Sequence, residues 1–360
     1  STGIALKQHP RISQHAVPFN MEADSLNSAI LGPDAVPGTP EFDLFVKEVR
    51  KEMTVKCGQK CTAVRRVFVP AAVQEEFQAA LIAQLHKTQV GDPQKEGVRM
   101  GALVGKAQVQ DVLDQVARLE QEAEWLFGQD KQADVLADNP ERGAFLPAML
   151  LKHANPHEAT AVHEVEAFGP VSTVMPYHDV EEAVALANRG LGSLCCSITT
   201  HDPKVAREFV HNAAYMHGRI LVLDRDCAKE STGHGSPMPL LVHGGPGRAG
   251  GGEEMGGLRG IKHYMQRTAI QGHPTMLTAL TEQYQPGGAQ PESEPHVFRK
   301  HFEDLDVGDT VTTARHTVTE EDIVNFANVS GDHFYAHVDE TSLEGTMFEG
   351  RVAHGYYILS

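Results

Sequence analysis

At 360 residues and 39.2 kDa the chain is long enough for about two domains. Its 31 Lys and Arg stand against 48 Asp and Glu, a formal charge of -17, which argues against nucleic acid or an anionic membrane as partner, since both select basic residues. A 41% hydrophobic content excludes a disordered chain, and no run approaches the roughly 18 apolar residues of a membrane span. No apolar signal-peptide core is visible at the start. Five cysteines make no disulfide framework and suit a reducing compartment, so a cytoplasmic location is expected. The chain opens on Ser1 and stops in a helical pattern at Tyr357, Ile358, Leu359 and Ser360, and the expectation is a segment cut at both ends.

Helices and strands alternate over the first 230 residues or so. Phe42, Phe45, Val46, Val49 and Met53 recur at three- and four-residue steps, an apolar helical stripe. Residues 64–69 form a β-branched run closed by Pro70 and read as a strand. Val73, Phe77, Leu81 and Leu85 mark the next helix, and Val109, Val112, Leu113 and Val116 another. Residues 171–177 are strand-like; Asp179 then sits at an N-cap position before Val180, Val184 and Ala187, and 219–223 is a further strand. Such alternation predicts an α/β layer fold with a mainly parallel sheet. Residues 243–260 are dense in glycine but lack the Gly-Lys-Ser/Thr of a phosphate loop, which leaves a flexible surface loop as the expectation. Residues 284–295 have the composition of a linker. Beyond it, 302–311 reads as a turn-rich entry into a strand. Thr319 to Asp322 has the form of a capping box ahead of Ile323, Phe326 and Ala327.

Three stretches carry chemistry. Cys57-Gly58-Gln59-Lys60-Cys61-Thr62-Ala63 places Cys61 just before a strand, where a turn could hold a nucleophile open to approach. Asn20-Met21-Glu22-Ala23-Asp24-Ser25-Leu26-Asn27 precedes it, and Glu164-Val165-Glu166-Ala167-Phe168-Gly169-Pro170-Val171 follows. Cys57 and Cys61 have no second pair at zinc-ligand spacing, so no metal is expected and Cys57 reads as structural. The plainer readings are a buried small hydrophobe at Cys61, a solvated carboxylate at Glu22, and packing roles for Glu166 and Phe168.

In this order the three stretches resemble the aldehyde dehydrogenase superfamily. Gly58, Gln59, Cys61 and Thr62 match its Gly-Gln-x-Cys-Thr motif, and Glu166, Phe168, Gly169, Pro170 and Val171 its Glu-x-Phe-Gly-Pro-Val motif. Of the usual Glu-Leu-Gly-Gly-Lys-Asn only Glu22 and Asn27 remain. The resemblance implies that Cys61 adds to an aldehyde, that Glu22 activates the water that hydrolyses the resulting thioester, and that Glu166 and Phe168 hold the nicotinamide ribose. The backbone N–H of Cys61 could support the oxyanion; the side-chain amide that completes the family's oxyanion hole would lie ahead of Ser1.

After the linker, Ser330-Gly331-Asp332 and His337 put a carboxylate and an imidazole where they could share one water. With His354-Gly355 they resemble the MaoC-like hot-dog family of (R)-specific enoyl-CoA hydratases. Phe334 stands where Asn is common, and Tyr335-Ala336 replaces the usual Pro-x. The resemblance implies catalytic roles for Asp332 and His337 and a thioester oxyanion contact at the Gly355 N–H. As turn residues, Asp332 and His337 would carry no chemistry.

The combination resembles the bifunctional phenylacetate-degradation proteins (PaaZ type). It implies an aldehyde dehydrogenase catalytic domain with a parallel-rich α/β sheet, followed by the start of an α+β hot-dog domain. The domain reading is 1–26 for the end of a dinucleotide-binding domain, 27–283 for the catalytic domain and tail, 284–295 for the linker and 296–360 for the hot-dog part. The implied cofactor is NADP, with NAD the alternative. The implied substrate is a CoA thioester, oxepin-CoA, whose opened semialdehyde is then oxidised. A homo-oligomer is expected at full length. The rival functions are an aldehyde dehydrogenase whose hot-dog domain only binds thioester or oligomerises, and a non-enzymatic scaffold. Residues 1–360 alone are expected neither to hold the cofactor well nor to turn over either substrate. An assay with added NADP and an aldehyde checks this, and turnover would refute it.

Overall fold

The computed structural model describes residues 2–238, 241, 243–254, 257–289, 301–310, 317–348 and 350–359. The chain divides into two compact units, Ser1–Gln266 and Arg267–Ser360. This division falls ahead of the linker-like stretch, whose residues 290–295 lie outside the described ones. Among the described residues no helix is long and apolar enough to cross a membrane.

The first unit is built on a seven-stranded sheet. Its strands are β1 (Ser28–Leu31), β2 (Arg66–Pro70), β4 (Glu124–Phe127), β6 (Met149–Lys152), β7 (Val171–Tyr177), β8 (Cys196–Thr199) and β9 (Ile220–Leu223), in the order β4-β6-β7-β2-β1-β8-β9. All neighbours are parallel except the edge pair β4 and β6. Two small sheets accompany it: β3 (Val90–Gly91) with β5 (Val135–Leu136), and β10 (His243–Gly244) with β11 (Glu253–Glu254).

Strand parity divides the interior into two cores. Ala29, Leu31, Val67, Val69 and Val174 face the helices Pro40–Thr54 and Gln74–Leu85, packing on Phe42, Phe45, Val49, Met53, Phe77 and Leu81. Ile30, Phe68, Met175 and Ile198 face the other way, onto Val112, Val116, Leu186 and Phe209 of three further helices. A parallel sheet buried on both faces reads as short continuous apolar runs rather than alternation. For that reason β1, β6 and β8, four residues each, give no strand signal of their own. The apolar stripes do form the expected helices, and the Asp179 carboxylate accepts from the Glu182 N–H at 2.8 Å as an N-cap.

The strand expected at 64–69 starts later, at Arg66. The Asn27 carbonyl accepts from the N–H groups of both Arg65 and Arg66, at 3.0 and 3.2 Å, and this turns the preceding residues out of the ladder. The glycine-dense stretch is a correction: it is not a loose loop. His243 and Gly244 pair antiparallel with Glu254 and Glu253. The Gly252 N–H donates to Met21 O at 3.0 Å, and the Ala23 N–H donates to Ala249 O at 3.1 Å. At Gly250, φ is +106° and an added Cβ would lie 2.5 Å from Met21 O, so glycine alone fits there.

In the second unit Thr319 closes the expected capping box. Its hydroxyl accepts from the Asp322 N–H at 3.2 Å, and the Asp322 carboxylate accepts from the Thr319 N–H at 2.8 Å. The helix Glu320–Ser330 buries Ile323 and Ala327, with Phe326 half-buried. Residues 302–310, expected to enter a strand, hold a single 3-10 turn at Phe302–Asp304; 311–316 lie outside the described residues.

Arg66 ties the first unit together from inside. It is 1% exposed, and its guanidinium donates to the carbonyls of Leu26 (2.9 Å), Leu186 (2.9 Å) and Ala187 (2.7 Å) and lies 3.1 Å from His163 Nδ1. Burial pulls its pKa down to about 9. Arg66→Met would leave these acceptors without their donor in a dry interior, an expected loss of about 3 kcal/mol or more. A lowered urea midpoint for the variant is the readout, and an unchanged midpoint would contradict it.

Candidate active sites of the two units

Cys61 stands at the end of a strained turn. The helix Pro40–Thr54 runs into a 3-10 turn, Val55–Gly58, in which Lys56, Cys57 and Gly58 take φ of 53°, 53° and 65° in succession. Non-glycine residues hold that region only against a cost. At Gly58 a Cβ would fall 2.1 Å from the Gly169 carbonyl oxygen, which gives the glycine of the motif its physical reason. The Arg65 guanidinium fastens the two backbones by donating to Gly169 O at 2.6 Å and Gly58 O at 2.9 Å, and its charge reaches Cys61. From the other side the Asn27 amide donates to Cys61 O at 2.8 Å and Ala63 O at 3.0 Å. Its Oδ1 accepts from the Cys195 N–H at 3.0 Å and the Ser25 hydroxyl at 2.7 Å.

Among the five cysteines only Cys61 and Cys227 are not fully buried. Cys57 lies in the apolar core, where burial pushes its thiol up to about 12. Thr62 anchors the far side of the turn by donating to Gly235 O at 3.0 Å, and Lys60 meets the buried Glu52 carboxylate at 2.7 Å.

Glu22 reaches this turn. A carboxylate oxygen of Glu22, Sγ of Cys61 and a ring nitrogen of His243 all lie within 4.8 Å of one another. The glycine hairpin makes this possible, since its backbone bonds to Met21 and Ala23 hold Glu22 from both sides. The Arg248 guanidinium adds a bidentate pair with Asp24 at 2.6 and 2.8 Å. His243 did not stand out in the sequence; it sits in a glycine-dense stretch and is one of 20 histidines.

Glu166 and Phe168 flank the same strand ends. The Glu166 carboxylate accepts from the Ser25 N–H at 3.2 Å and lies 3.8 Å from Arg65 Nε. Its side chain is only 14% exposed. Burial outweighs the Arg65 charge and pushes its carboxyl up to about 7. The Phe168 ring is exposed, with the Arg65 guanidinium 5.4 Å from its centroid.

In the second unit the helix Glu320–Ser330 ends at Gly331, and the next residue is Asp332. An Asp332 carboxylate oxygen and ring nitrogens of His337 and His354 lie within 4.8 Å of one another. His337 Nδ1 donates to Val352 O at 2.6 Å, and His354 Nε2 donates to Asp332 O at 2.9 Å. These donors set the tautomers and leave the remaining ring nitrogens as acceptors. The two rings stack at 3.7 Å. His354, known from the sequence only as part of a helix opening, is the buried member of the group. Gly355 is exposed and begins the helix Gly355–Leu359.

A thiol on a turn at the end of a buried parallel sheet, with a carboxylate beside it, defines the catalytic domain of an aldehyde dehydrogenase. The Aldehyde dehydrogenase family model matches residues 1–270, and the MaoC like domain model matches 304–360. The chain belongs to the aldehyde dehydrogenase family and carries a MaoC-like hot-dog domain behind it, the bifunctional arrangement expected from the motifs. Protein MaoC of Klebsiella aerogenes is 52% identical over 262 residues, 72% of this chain and 76% of that one. The 3,4-dehydroadipyl-CoA semialdehyde dehydrogenase of Aromatoleum evansii is 46% identical over 245 residues, 68% of this chain and 48% of that one. The chain thus spans three quarters of one relative and half of the other. The crystal structure of betaine aldehyde dehydrogenase from Staphylococcus aureus in complex with NAD+ shares the fold, with a TM-score of 0.62 at 22% identity over 73% of this chain and 48% of that one.

The raised carboxyl of Glu166 has a consequence for stability. The folded protein keeps a proton that the unfolded chain releases near its ordinary value of 4.5. The group therefore stabilises the fold most at acid pH, and that contribution is lost as pH rises from 4.5 to about 7. Urea midpoints measured across this window should fall less steeply in Glu166→Gln than in the wild type.

Proposed function

We propose that the protein is a bifunctional ring-opening enzyme. Its hot-dog domain adds water to oxepin-CoA, and its dehydrogenase domain oxidises the resulting semialdehyde with NADP to 3-oxo-5,6-dehydrosuberyl-CoA. The observation that carries the oxidative half is the approach of Glu22 to Cys61 within 4.8 Å, from 39 positions apart in sequence. A thiolate at Cys61 adds to the aldehyde carbon, and the Cys61 N–H faces the oxygen that gains charge. Glu166 fits the ribose of a dinucleotide, because a largely buried carboxylate already held by Ser25 and Arg65 offers acceptors to paired hydroxyls. A nicotinamide cofactor held there supplies the hydride acceptor that converts a thiohemiacetal into a thioester. Glu22 then takes a proton from the water that hydrolyses the thioester on Cys61.

In the hot-dog domain His337, oriented by Val352 O, holds the water through its other ring nitrogen; Asp332 takes a proton from that water as its oxygen adds, and the same proton then passes from Asp332 to the substrate carbon. The Gly355 N–H faces the thioester oxygen at the start of its helix. The Aromatoleum relative is named for a CoA semialdehyde, which supports a CoA-bound aldehyde here.

Competition labelling with iodoacetamide, read by mass spectrometry, should modify Cys61 ahead of Cys57 and Cys227. In the full-length enzyme Cys61→Ala should lower aldehyde oxidation by about a thousandfold or more while sparing hydration. Asp332→Asn should do the reverse. Unchanged hydration in Asp332→Asn would leave the second domain as a binding module.

A further inference from the structure

The dehydrogenase reading leaves one group at the nucleophile without a task. His243 is 6% exposed, and one of its ring nitrogens is within 4.8 Å of both Cys61 Sγ and a Glu22 carboxylate oxygen. Its backbone has little freedom to move. It pairs with Glu254 across the hairpin, and its neighbour Gly244 lies so close to Gly252 that an added Cβ would sit 2.1 Å from the Gly252 carbonyl oxygen.

A thiol is a weak nucleophile until it loses its proton, and an adjacent base or cation is the usual means. The Glu22 side chain is exposed, whereas the His243 imidazole is buried against the sulfur. An imidazole accepts a proton near neutrality and then stabilises the thiolate as a cation; a carboxylate that took the proton would be neutral and give no such help. Without substrate, separations of this kind are often longer than in the reacting complex.

We propose that His243 is a catalytic residue of the dehydrogenase domain, the base that takes the Cys61 proton and holds the sulfur as the thiolate of an ion pair. This rests on Cys61 being the nucleophile. The S–H bond breaks with its electron pair left on sulfur, and the proton goes to a ring nitrogen of His243. The thiolate then forms the C–S bond while the carbonyl π pair moves to oxygen. Glu22 is thereby kept as a carboxylate for the later hydrolytic water, so the two proton transfers have two separate bases. The charged groups nearest in the chain and in contact are Arg65, whose charge reaches Cys61, and Lys60, next to Cys61 and paired with Glu52; Arg219 follows Gly218, which packs on Gly244, and its guanidinium is spent on the His234 carbonyl.

The test is the pH profile of Cys61 alkylation by iodoacetamide, followed peptide by peptide. It needs neither cofactor nor turnover. The wild type should keep a reactive plateau on the acid side of the ordinary thiol range. His243→Gln should lose it, with alkylation at about pH 6 reduced about tenfold. Glu22→Gln should keep it. A profile unchanged in His243→Gln, or a plateau lost in Glu22→Gln instead, would overturn the assignment. Should His243→Gln fail to fold, the imidazole 15N shifts decide it in otherwise native protein: His243 should be protonated at neutral pH with Cys61 present and neutral in Cys61→Ala. Identical shifts in the two proteins would also overturn it. If Cys61 reacts no faster than Cys57 and Cys227 at any pH, the nucleophile reading itself fails; if it reacts faster but without dependence on His243, only the pairing fails.

Discussion

One side-chain amide holds the first site in register. Asn27 is 0% exposed, and it spends both ends on backbone: its NH2 on the carbonyls of Cys61 and Ala63, its oxygen on the Cys195 N–H. It sits one residue before β1, an interior strand paired with β2 on one edge and β8 on the other, so the nucleophile turn is referenced to the interior of the sheet. The Asn27 main-chain carbonyl adds the N–H groups of Arg65 and Arg66. A buried amide with all its partners in place rigidifies; one with a missing partner is costly, and this asymmetry makes such a network specify a single geometry.

Two arginines extend that reference in opposite directions. Arg66 points inward and binds the C-terminal carbonyls of the helix Val180–Asn188 to the segment before β1. Arg65, its neighbour on the other face, fastens the turn at Gly58 to the backbone at Gly169 and lies against Glu166 and Phe168. The chain enters β2 between the two, so that Arg66, its first residue, serves the fold and Arg65, just outside the ladder, serves the site. The strained φ values at Lys56 and Cys57 are held because these bonds surround them.

Much of this was legible in the sequence, for reasons that differ by element. Amphipathic helices such as Pro40–Thr54 announce themselves because one face is wet and the other dry. The capping box at Thr319 and the N-cap at Asp179 were legible because the cap is a local side-chain-to-backbone bond. Short strands buried on both faces, β1 and β8 among them, carry no contrast and were missed. Cys61 and Glu22 were legible through motif residues, and the structure supplies their proximity. His243 was not, nor was the place of His354 beside Asp332 and His337, because each owes its position to contacts distant in sequence: a hairpin stitched to residues 21–23 in one case, a carbonyl 22 positions upstream in the other. The glycine-dense stretch misled because composition records freedom of the chain alone, whereas here glycine allows close backbone contact.

The seam between that hairpin and residues 20–23 is made largely of main-chain atoms: Met21 O with Gly252 N–H, Ala23 N–H with Ala249 O. Peptide groups persist whatever side chains they carry. Positions along the seam can therefore drift in identity while the carboxylate of Glu22 keeps its place, provided glycine remains where the two backbones touch. In the stretch Glu-Ala-Asp-Ser-Leu-Asn that freedom belongs to Ala23 alone, since Asp24 and Ser25 hold Arg248 and Asn27 through their side chains and Leu26 is buried.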